Sequence, residues 1–409
     1  MGDNRQGPVY RSSTTAPVNI AVIKYWGKRD ATLNLPTNSS LSVTLSQASL
    51  RTHTTASCSA HYAAHEGDSL LLNGSAEPIQ HSPRTQACLG QLRSLRSSLE
   101  ASDPSLPKLS GLPLHIVSTN NFPTAAGLAS SAAGFAALVR SIADLYALPQ
   151  SATELSRIAR QGSGSACRSL MGGYVAWRAG SAADGSDSLA DEVAPPAHWP
   201  QMRALVLVVS AAKKHLPSTA GMQVTVKTSS LFPTRADVVV PRRMQNMEQA
   251  IRARDFDAFA RLTMQDSNGF HAVCLDSWPP IAYLNDVSRA AVRVVEAINQ
   301  QSTDAGAGLL AAYTFDAGPN AVVYYLERDT ERVAGVFRAL LGNERVEGWE
   351  GSYGQDIKPA EMEELATLDE KAVETLRAGV SRVICTGVGG GPEKVDSHLV
   401  DERGEPVWE

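Results

Sequence analysis

The stretch NFPTAAGLASSAA, residues 121–133, leads a run of small residues into an alanine-rich segment that we predict to be helical over residues 125–146. Because no bulky side chain stands in the way, a polyphosphate can approach the main-chain N–H groups at the helix start, where the helix dipole favours negative charge. Ser130 and Ser131 add hydroxyl groups that can contact phosphate or a bound Mg²⁺. The loop is neither a Walker A motif nor a G-x-G-x-x-G fingerprint. The alternative is a close contact between helices through alanine and glycine.

A second loop of similar character follows at residues 162–168, GSGSACR. Glycines and serines again precede a short predicted helix, and here Arg168 lies within reach. A main-chain cradle with a guanidinium fork suits a diphosphate or a carboxylate. The alternative is a flexible hinge loop with a surface arginine. Two anion cradles in one chain favour a single site for two anionic substrates over two unrelated loops.

Charged residues also stand at the ends of two predicted strands. The strand of residues 18–23 runs into KYWGK, residues 24–28, which places two lysines around an aromatic pair and a glycine. The strand of residues 311–315 runs into Asp316, followed by AGPN. An aspartate at a strand end is held on a rigid element, as a catalytic carboxylate must be. An aspartate that only forms an Asx turn is the commoner alternative.

Composition narrows the classes of function. With 409 residues the chain is too long for one ordinary core, which predicts two domains, residues 1–200 and 201–395. A polar tail, residues 396–409, is expected to be loosely held. The net charge of -5 argues against a general nucleic-acid or membrane-surface binder, because those partners select strongly basic faces. Any anion site must therefore be local.

The cysteine pattern and the apolar runs predict a soluble, cytosolic protein, and with the net charge they predict one with no nucleic-acid or membrane partner. The five cysteines are scattered and include no C-x-x-C pair, which fits reduced thiols better than disulfides or a zinc site. The N-terminal residues lack the apolar segment of a secretory signal. The longest apolar runs, such as residues 204–209, are too short to span a bilayer.

Predicted strands and helices alternate without a strict βαβ order. Strands are predicted at residues 18–23, 40–45, 114–118, 173–177, 202–210, 311–315, 321–326 and 381–386, and helices at 125–146, 151–162, 242–254, 256–264, 279–300, 331–341 and 358–378. This order predicts an α+β fold with helices packed on a mostly antiparallel sheet. The acidic segment 180–197 is expected to be an exposed excursion. The His61/His65 pair and the run Lys213-Lys214-His215 are expected to be surface features.

Together these motifs resemble one family. The chain is similar to the superfamily of galactokinases, homoserine kinases, mevalonate kinases and phosphomevalonate kinases, and within it to the eukaryotic, fungal-like diphosphomevalonate decarboxylases. The resemblance spans residues 16–387 and is weak at 341–370. It is carried by KYWGK (24–28), LPTNSS (35–40), residues 121–133 and 163–168, and YTFDAGPN (313–320). The superfamily's phosphate loop usually reads G-L-G-S-S, and residues 127–131 read G-L-A-S-S.

The resemblance implies a two-domain small-molecule-kinase fold with a deep cleft between its halves. The N-terminal half would resemble ribosomal protein S5 domain 2, and the C-terminal half a ferredoxin-like α/β sandwich. The implied reaction is the ATP-dependent decarboxylation of (R)-5-diphosphomevalonate to isopentenyl diphosphate in isoprenoid and sterol biosynthesis. ATP would phosphorylate the 3-hydroxyl, after which phosphate and CO₂ leave. ATP with Mg²⁺, no tightly bound organic cofactor, and a homodimer are implied as well.

The resemblance also implies roles for particular residues. The implied catalytic residues are Asp316, Lys24 and Arg168. The implied substrate contacts are Tyr25, Trp26, Gly27, Lys28, Arg84, Ser163, Gly164, Ser165, Ala166, Cys167, Arg168 and Thr219. The implied ATP contacts are Pro123, Ala125, Ala126, Gly127, Leu128, Ala129, Ser130 and Ser131, with Ser131 also a candidate Mg²⁺ ligand.

Asp316 would act as an orienting group more than as a strong base. A free aspartate titrates near ~3.9, and a lysine partner lowers that pKa further. We therefore expect Asp316 to orient the 3-hydroxyl, take its proton late, and then stabilise positive charge at C3. Arg168 would align the substrate carboxylate. The alternatives are a kinase of the same superfamily that stops at phosphoryl transfer, and a silent ligand-sensing relative, which would have no reason to keep the Asp316–Lys24 pair.

Overall fold

A computed structural model describes residues 7–64, 67–122, 130–209, 216–342, 345–349, 353–361, 365 and 367–407, and it has the predicted α+β class. Several predicted features lie outside the described residues, namely Pro123, Ala125, Ala126, Gly127, Leu128 and Ala129 of the phosphate loop, and His65, Lys213, Lys214 and His215. Within the described residues, every helix is too short or too polar to cross a bilayer.

The strands form mostly antiparallel ladders. They are β1 Tyr10–Pro17, β2 Asn19–Ile23, β3 Lys28–Asp30, β4 Leu35–Pro36, β5 Ser40–Thr44, β6 Arg51–Cys58, β7 Ser69–Leu72, β8 Ser75–Ala76, β9 Leu114–Asn120, β10 Tyr174–Trp177, β11 Ala190–Ala194, β12 Met202–Val208, β13 Ala311–Phe315, β14 Ala321–Leu326, β15 Glu347–Gly348, β16 Arg382–Gly387 and β17 Glu393–Val395.

Helices cover the faces of these sheets. They are α1 Pro83–Ser102, α2 Ser130–Leu145, α3 Ala152–Gly162, α4 Ser218–Thr228, α5 Phe232–Thr234, α6 Val240–Ala253, α7 Phe256–Leu275, α8 Asp286–Asp304, α9 Thr330–Leu341 and α10 Glu370–Gly379. A π-helical turn, Arg235–Val239, joins α5 to α6. The loop after α3 forms a 3₁₀ turn, Gly164–Leu170.

The N-terminal half contains two sheets. One has the strand order β17-β1-β6-β9-β7-β8 and the other β11-β10-β5-β2. Helix α2 packs on the first sheet, where its residues Ala136 and Val139 share a buried cluster with Ala16 of β1 and Ile116 of β9. The last strand in the chain thus completes a sheet of the N-terminal half.

The C-terminal half is built on the sheet β13-β14-β12-β16-β15, which is antiparallel except for the β15–β16 pair. Because side chains alternate along a strand, Leu205 and Leu207 of β12 face one cluster, and Ala204 and Val206 face another. The first cluster is covered by α8, α9 and α10, and the second by α6 and α7.

The second cluster is shared by both halves of the chain. Val22 of β2 and Val43 of β5 lie in it together with Val206 of β12, Tyr324 of β14 and Phe259 of α7. Each of these side chains is at most 5% exposed. This common core fixes the end of β2 in relation to the end of β13, the two strand ends where charged residues were predicted.

The structure confirms most of the predicted elements and corrects several of their bounds. Helix α3 begins at the predicted capping box, in which Ser151 and Glu154 exchange hydrogen bonds. Helix α7 continues to Leu275, well past the predicted end, while the helix predicted from residue 279 starts only at Asp286, after the Asn285 cap. Residues 357–361 are not helical, so the predicted start at 358 is wrong.

Helix α1 was not predicted, because its buried face is not uniformly apolar. Arg96 and Glu100 lie on that face with Cys88, Leu89 and Leu92. Arg96 Nε donates to Glu100 Oε1 at 2.9 Å within the core. A buried ion pair at i,i+4 therefore interrupts the periodic pattern by which helices are recognised.

Of two expectations about exposed segments, the one for the tail is wrong, and the one for residues 180–197 holds only for residues 180–187, which are mostly exposed. The tail after β17 is docked: Leu399 is 8% and Val400 2% exposed, and the Leu399 N–H donates to Thr55 Oγ1 at 2.8 Å. The segment 180–197 includes β11, which pairs with β10 and buries Ala190 and Ala194. In both segments a few apolar residues suffice to bind a polar stretch to a sheet.

Candidate active site

A cavity of about 510 Å³ opens between the two halves. Its lining residues are Asn19, Ala21, Lys24, Tyr25, Trp26, Lys28, Asn34, Arg84, Ser130, Ser131, Ser163, Gly164, Ser165, Arg168, Pro217, Ser218, Thr219, Met222, Phe270, Asp316 and Ala317. The fold thus brings the three predicted catalytic residues and most of the predicted substrate contacts to one place.

Lys24 is the first residue after β2. Its carbonyl oxygen accepts a hydrogen bond from Asn38 Nδ2 at 3.0 Å, and its Nζ donates to Asp316 Oδ1 at 2.7 Å. The side chain of Lys24 is 3% exposed and that of Asp316 is 32% exposed, so the ammonium is buried while the carboxylate faces the cavity. Burial lowers the pKa of Lys24, and the charge of Asp316 opposes that shift.

Asp316 directly follows β13, as predicted. The Gly318 N–H donates to the Asp316 carbonyl at 2.7 Å and closes a tight turn. On the strand side, Ser267 Oγ of α7 accepts the N–H of Phe315 at 3.1 Å. The carboxylate is therefore carried by a turn that a strand and a helix both hold, which fits a catalytic carboxylate better than a surface Asx turn.

Arg168 lies in the 3₁₀ turn and is 2% exposed. Its Nε donates to Ser42 Oγ at 3.0 Å and to Asn19 Oδ1 at 3.2 Å, and its Nη1 donates to Ser40 Oγ at 2.5 Å. Its guanidinium also lies 5.9 Å from the ring centroid of Trp177. Within the described part of the chain these partners are neutral. Because a buried charge without a counter-ion is costly, this wall of the cavity is suited to bind an anion.

Lys28 and Arg84 form a second cationic wall. Arg84, at the start of α1, donates from Nη2 to Thr219 Oγ1 at 3.0 Å. Burial, assisted by the nearby charge of Arg84, lowers the pKa of Lys28 to about 8. Gly27, with φ +89°, turns the chain toward Lys28, and a Cβ there would lie 2.5 Å from the Phe232 ring. Two neighbouring cations, one of them with a lowered pKa, indicate a site for an anion.

A second cavity, of about 450 Å³, adjoins the first. It is lined by Thr54, Leu70, Leu72, Glu77, Pro78, Ile79, His81, Ser82, Thr85, Ile116, Ser118, Asn120, Ser130, Ser131, Gly134, Phe135 and Leu138. Ser130 and Ser131, in the first turn of α2, line both cavities. Ser131 Oγ lies 3.2 Å from Ser163 Oγ of the glycine-serine loop. The first, cationic cavity and the second, mostly apolar cavity thus meet at the hydroxyl groups of Ser130 and Ser131.

Few groups in the site could bind a metal directly. The described residues include no cluster of three or more His, Cys, Asp or Glu side chains placed to hold an ion. Mg²⁺ commonly keeps several waters and binds through one or two protein ligands together with substrate phosphates. The Ser131 hydroxyl and the Asp316 carboxylate, both on the cavity wall, fit that sparse requirement.

Three of the predicted substrate contacts lie behind the cavity wall in the described structure. Ala166 packs in the core under α2, and the Cys167 thiol donates to a main-chain carbonyl in a site where burial raises its pKa to about 12. Gly27 supplies a turn. Trp26 reaches the cavity but is 1% exposed, and its Nε1 donates to Thr225 Oγ1 at 3.1 Å. Their contribution to the site is to shape it.

Sequence reasoning missed other residues that support the site. Asn19 accepts a hydrogen bond from Arg168 and lies within a strand that was predicted to be apolar. A single polar residue in such an apolar run could have indicated a buried polar contact. Asp266 of α7 accepts the N–H of Lys24 at 2.8 Å, a contact between residues far apart in the chain that no local pattern indicates. The apolar lining of the second cavity comes from several short elements and was missed for the same reason.

Comparison with protein families gives a consistent result over both halves. The diphosphomevalonate decarboxylase-like N-terminal domain matches residues 16–190. The mevalonate 5-diphosphate decarboxylase C-terminal domain matches residues 204–395. The diphosphomevalonate decarboxylase of Aspergillus fumigatus is 68% identical over 399 residues, covering 97% of each chain. That of Saccharomyces cerevisiae is 53% identical over 398 residues, covering 97% of this chain and 98% of the relative.

Solved structures agree with these relatives. A crystal structure of mevalonate 5-diphosphate decarboxylase superposes with a TM-score of 0.86 at 52% identity, covering 97% of this chain and 100% of the other. MDDEF in complex with MVAPP, AMPPCP and magnesium superposes with a TM-score of 0.70 at 28% identity, covering 95% of this chain and 100% of the other.

Proposed function

The chain belongs to the diphosphomevalonate decarboxylase family, and on that premise we propose that its two adjoining cavities hold the two substrates of one reaction. The enzyme decarboxylates (R)-5-diphosphomevalonate to isopentenyl diphosphate at the expense of ATP, in the mevalonate pathway. The observation that supports this arrangement is the contact between Lys24 and Asp316 at the wall of a cavity whose other charged lining residues, Lys28, Arg84 and Arg168, are all cations.

The cationic cavity has the charge distribution that diphosphomevalonate requires. The substrate carries a diphosphate at one end and a carboxylate at the other. Lys28 and Arg84 would bind the diphosphate, assisted by Thr219, and Arg168 would bind the carboxylate. The distribution of charge supports this orientation, because a diphosphate needs at least two neighbouring cations while a carboxylate matches one guanidinium. The 3-hydroxyl would then lie beside Asp316.

The apolar cavity would bind the nucleotide. Leu70, Leu72 and Ile79 offer apolar surface for a flat heterocycle, which is the usual composition of a small-molecule site. The phosphates would pass Ser130 and Ser131 on the way to the first cavity. The start of α2 at Ser130 supports this path, because a helix N-terminus favours negative charge.

In the first stage the residues of the chain would bring the 3-hydroxyl and the γ-phosphate together. Catalysis of phosphoryl transfer depends mainly on position and on charge stabilisation. Asp316 would orient the hydroxyl and accept its proton as the O–P bond forms. The buried ammonium of Lys24 would hold that carboxylate in place and offset the negative charge gathered at the site. Mg²⁺, when bound to the ATP phosphates, would neutralise charge on the transferred group, with Ser131 a ligand.

In the second stage the C3–O bond breaks and phosphate leaves with its electron pair. Asp316 would pass the hydroxyl proton on to the departing phosphate and so become ionised again. Positive charge grows at C3, and the Asp316 carboxylate would stabilise it electrostatically. The C–C bond to the carboxylate then breaks, its electron pair forms the new double bond, and CO₂ leaves. Arg168 would keep the carboxylate aligned with C3. Its three neutral partners, Asn19, Ser40 and Ser42, hold the guanidinium rigid without neutralising it.

The experiment that tests the proposal measures every product of one turnover. Purified enzyme with ATP, Mg²⁺ and carboxyl-labelled diphosphomevalonate should release labelled CO₂, ADP, phosphate and isopentenyl diphosphate in equal amounts. Mevalonate and its monophosphate serve as comparison substrates and should give little turnover, because they lack the diphosphate for Lys28 and Arg84. ADP formation without CO₂ would show a kinase and contradict the proposal.

A homodimer and a cytosolic location complete the proposal. The side chains of Leu231, Leu275 and Trp278 are 52%, 58% and 78% exposed, and such apolar surface supports association. Sedimentation of the purified chain should give about twice the 43.5 kDa of one chain. A fluorescent fusion should be diffuse in the cytosol, and enrichment in an organelle would contradict that location.

A further inference from the structure

Asp266 is a buried carboxylate outside the cavity that contacts the site from behind. It lies in α7, and its side chain is 0% exposed. Its Oδ1 accepts the main-chain N–H of Lys24 at 2.8 Å and Arg235 Nη2 at 2.8 Å. Its Oδ2 accepts Arg235 Nη1 at 3.2 Å and Arg243 Nη1 at 3.0 Å. Both oxygens are therefore saturated by four donors.

A purely stabilising role would not require this arrangement. Well-packed apolar residues of similar volume often stabilise a core as well as a buried ion pair does. This carboxylate instead uses one of its four bonds on the main chain of Lys24. Arg235 begins the π-helical turn Arg235–Val239, and such turns are often found at functional sites. The buried carboxylate and its two arginines thus fix the position of the Lys24 main chain.

The neighbouring residue of α7 performs the matching task on the other side of the site. Ser267 Oγ accepts the N–H of Phe315, the residue before Asp316. Consecutive residues of one helix therefore bind the chain at Lys24 and the chain next to Asp316. On its other side Lys24 is held through its carbonyl by Asn38. Because both the N–H and the carbonyl of Lys24 are held by hydrogen bonds, its main chain is fixed and only its side chain can move relative to Asp316.

We propose that Asp266 is a positioning residue for the decarboxylation, which together with Ser267 sets the contact between Lys24 and Asp316 by fixing the main chain at each partner. The proposal rests on the roles proposed above for Lys24 and Asp316. The charged or titratable groups that act on the Lys24 ammonium are Asp316, Asp266, Arg168 and His271. Replacing the negative charge of Asp266 leaves Arg235 and Arg243 unneutralised near that ammonium.

Asp266→Asn keeps the shape of the side chain and removes its charge. We expect kcat to fall about 10- to 100-fold, the loss that a misplacement of about 1 Å produces. The KM values for diphosphomevalonate and ATP should stay within about threefold, because Lys28, Arg84 and the second cavity are untouched. The alkaline limb of the kcat profile should move down by about one pH unit, because Lys24 loses a stabilising negative charge.

Glu100→Gln is the matched control. Glu100 is also a buried carboxylate, bound by one arginine and by the main-chain N–H groups of Leu109 and Ser110, in α1. Both variants should lower the melting temperature, and only Asp266→Asn should change kcat and its pH profile. A folded Asp266→Asn enzyme with wild-type kcat and pH profile would overturn the proposal, as would an equal loss of kcat in Glu100→Gln.

Two milder variants serve if Asp266→Asn does not fold. Arg243→Gln removes a partly exposed donor to Asp266, and Ser267→Ala removes the hydroxyl that binds Phe315. Each should lower kcat about threefold or more with KM preserved, and wild-type kcat in both would overturn the proposal.

The proposed function is tested first, by CO₂ release from the wild type. Should that fail, a crystal structure of Asp266→Asn still decides the positioning role through the distance between Lys24 Nζ and Asp316 Oδ1.

Discussion

The hydroxyl groups of Ser131 and Ser163 lie 3.2 Å apart where the apolar and cationic cavities meet. One belongs to the first turn of α2 and the other to the loop after α3. Both residues line the cationic cavity, so both hydroxyls can turn toward a phosphate that lies beside them. The transferred phosphoryl group would cross from nucleotide to substrate at this point.

Ser131→Ala should therefore slow phosphoryl transfer more than it weakens binding of diphosphomevalonate. We expect kcat to fall about 10- to 100-fold through loss of one donor or metal ligand, with a higher Mg²⁺ requirement. Steady-state kinetics at several Mg²⁺ concentrations measures both effects. Ser98→Ala, which removes an exposed hydroxyl on α1, should have no effect, and an unchanged Mg²⁺ dependence in Ser131→Ala would exclude the metal contact.

Asp316→Asn should abolish most of the turnover while leaving the substrates bound. The amide can neither accept the hydroxyl proton nor stabilise a growing positive charge, so kcat should fall about a thousandfold or more. The dissociation constants should change by less than about threefold. Rapid-quench measurement of ADP and CO₂ in one turnover would show which stage is lost. A variant that keeps a tenth of wild-type kcat would refute the role of Asp316.

The activity should fall at alkaline pH as Lys28 loses its proton. Its pKa is lowered to about 8 by burial and by Arg84, so the ammonium is present below that pH and lost above it. Because kcat/KM reports the free enzyme, kcat/KM for diphosphomevalonate should decline above pH 8. In Lys28→Arg the guanidinium stays charged, so the decline should move to higher pH. If it does not move, another group, such as Lys24, causes it.

Gly134→Leu should block the second cavity without disturbing the first. Gly134 lies in α2 on the cavity wall, and a Cβ built there meets no atom within 4 Å. Leucine is also a better helix former than glycine, so the protein should be at least as stable. We expect KM for ATP to rise about tenfold or more while binding of diphosphomevalonate is retained. An unchanged KM for ATP would show that the nucleotide binds elsewhere.

Glu100→Gln should lower stability at neutral pH by about 3–5 kcal/mol, the usual loss when one partner of a buried pair is removed. Burial opposes ionisation of Glu100, but hydrogen bonds from Ser110, Arg96 and Leu109 outweigh it and lower its pKa to about 2. A carboxyl whose pKa is depressed on folding stabilises the protein above its unfolded pKa and loses that effect as pH falls toward 2. Urea titrations at pH 7 and pH 3 should therefore show a smaller difference between variant and wild type at pH 3.

Much of the fold was predictable, because it rests on local patterns. β13 and β14 have the predicted bounds, and the capping box at Ser151 marked the start of α3. Helix α1 was not predictable by the same means, because its core face contains the Arg96–Glu100 pair. The strand bounds of β2 and β13 also placed Lys24 and Asp316 correctly at strand ends.

In the site, only those residues were predictable whose charge and position within a short sequence motif already indicate a function. Lys24, Arg168 and Asp316 stand in quotable motifs, and the fold brings them together. Asp266 accepts the main-chain N–H of Lys24 although the two residues are 242 positions apart in the sequence. They are brought together by the core that both halves of the chain share. The lining of the second cavity is ordinary apolar sequence, whose function comes only from its place between β7, β9 and α2.

The pairing of β17 with β1 has a consequence for synthesis. Glu393–Val395 lies beside Ser13–Thr15, so an edge of the first sheet to be translated is covered by one of the last strands. On the ribosome, the nascent N-terminal half presents β1 as an open edge, the kind of surface through which chains associate wrongly. The sheet of the N-terminal half can therefore be completed only after nearly the whole chain has been synthesised.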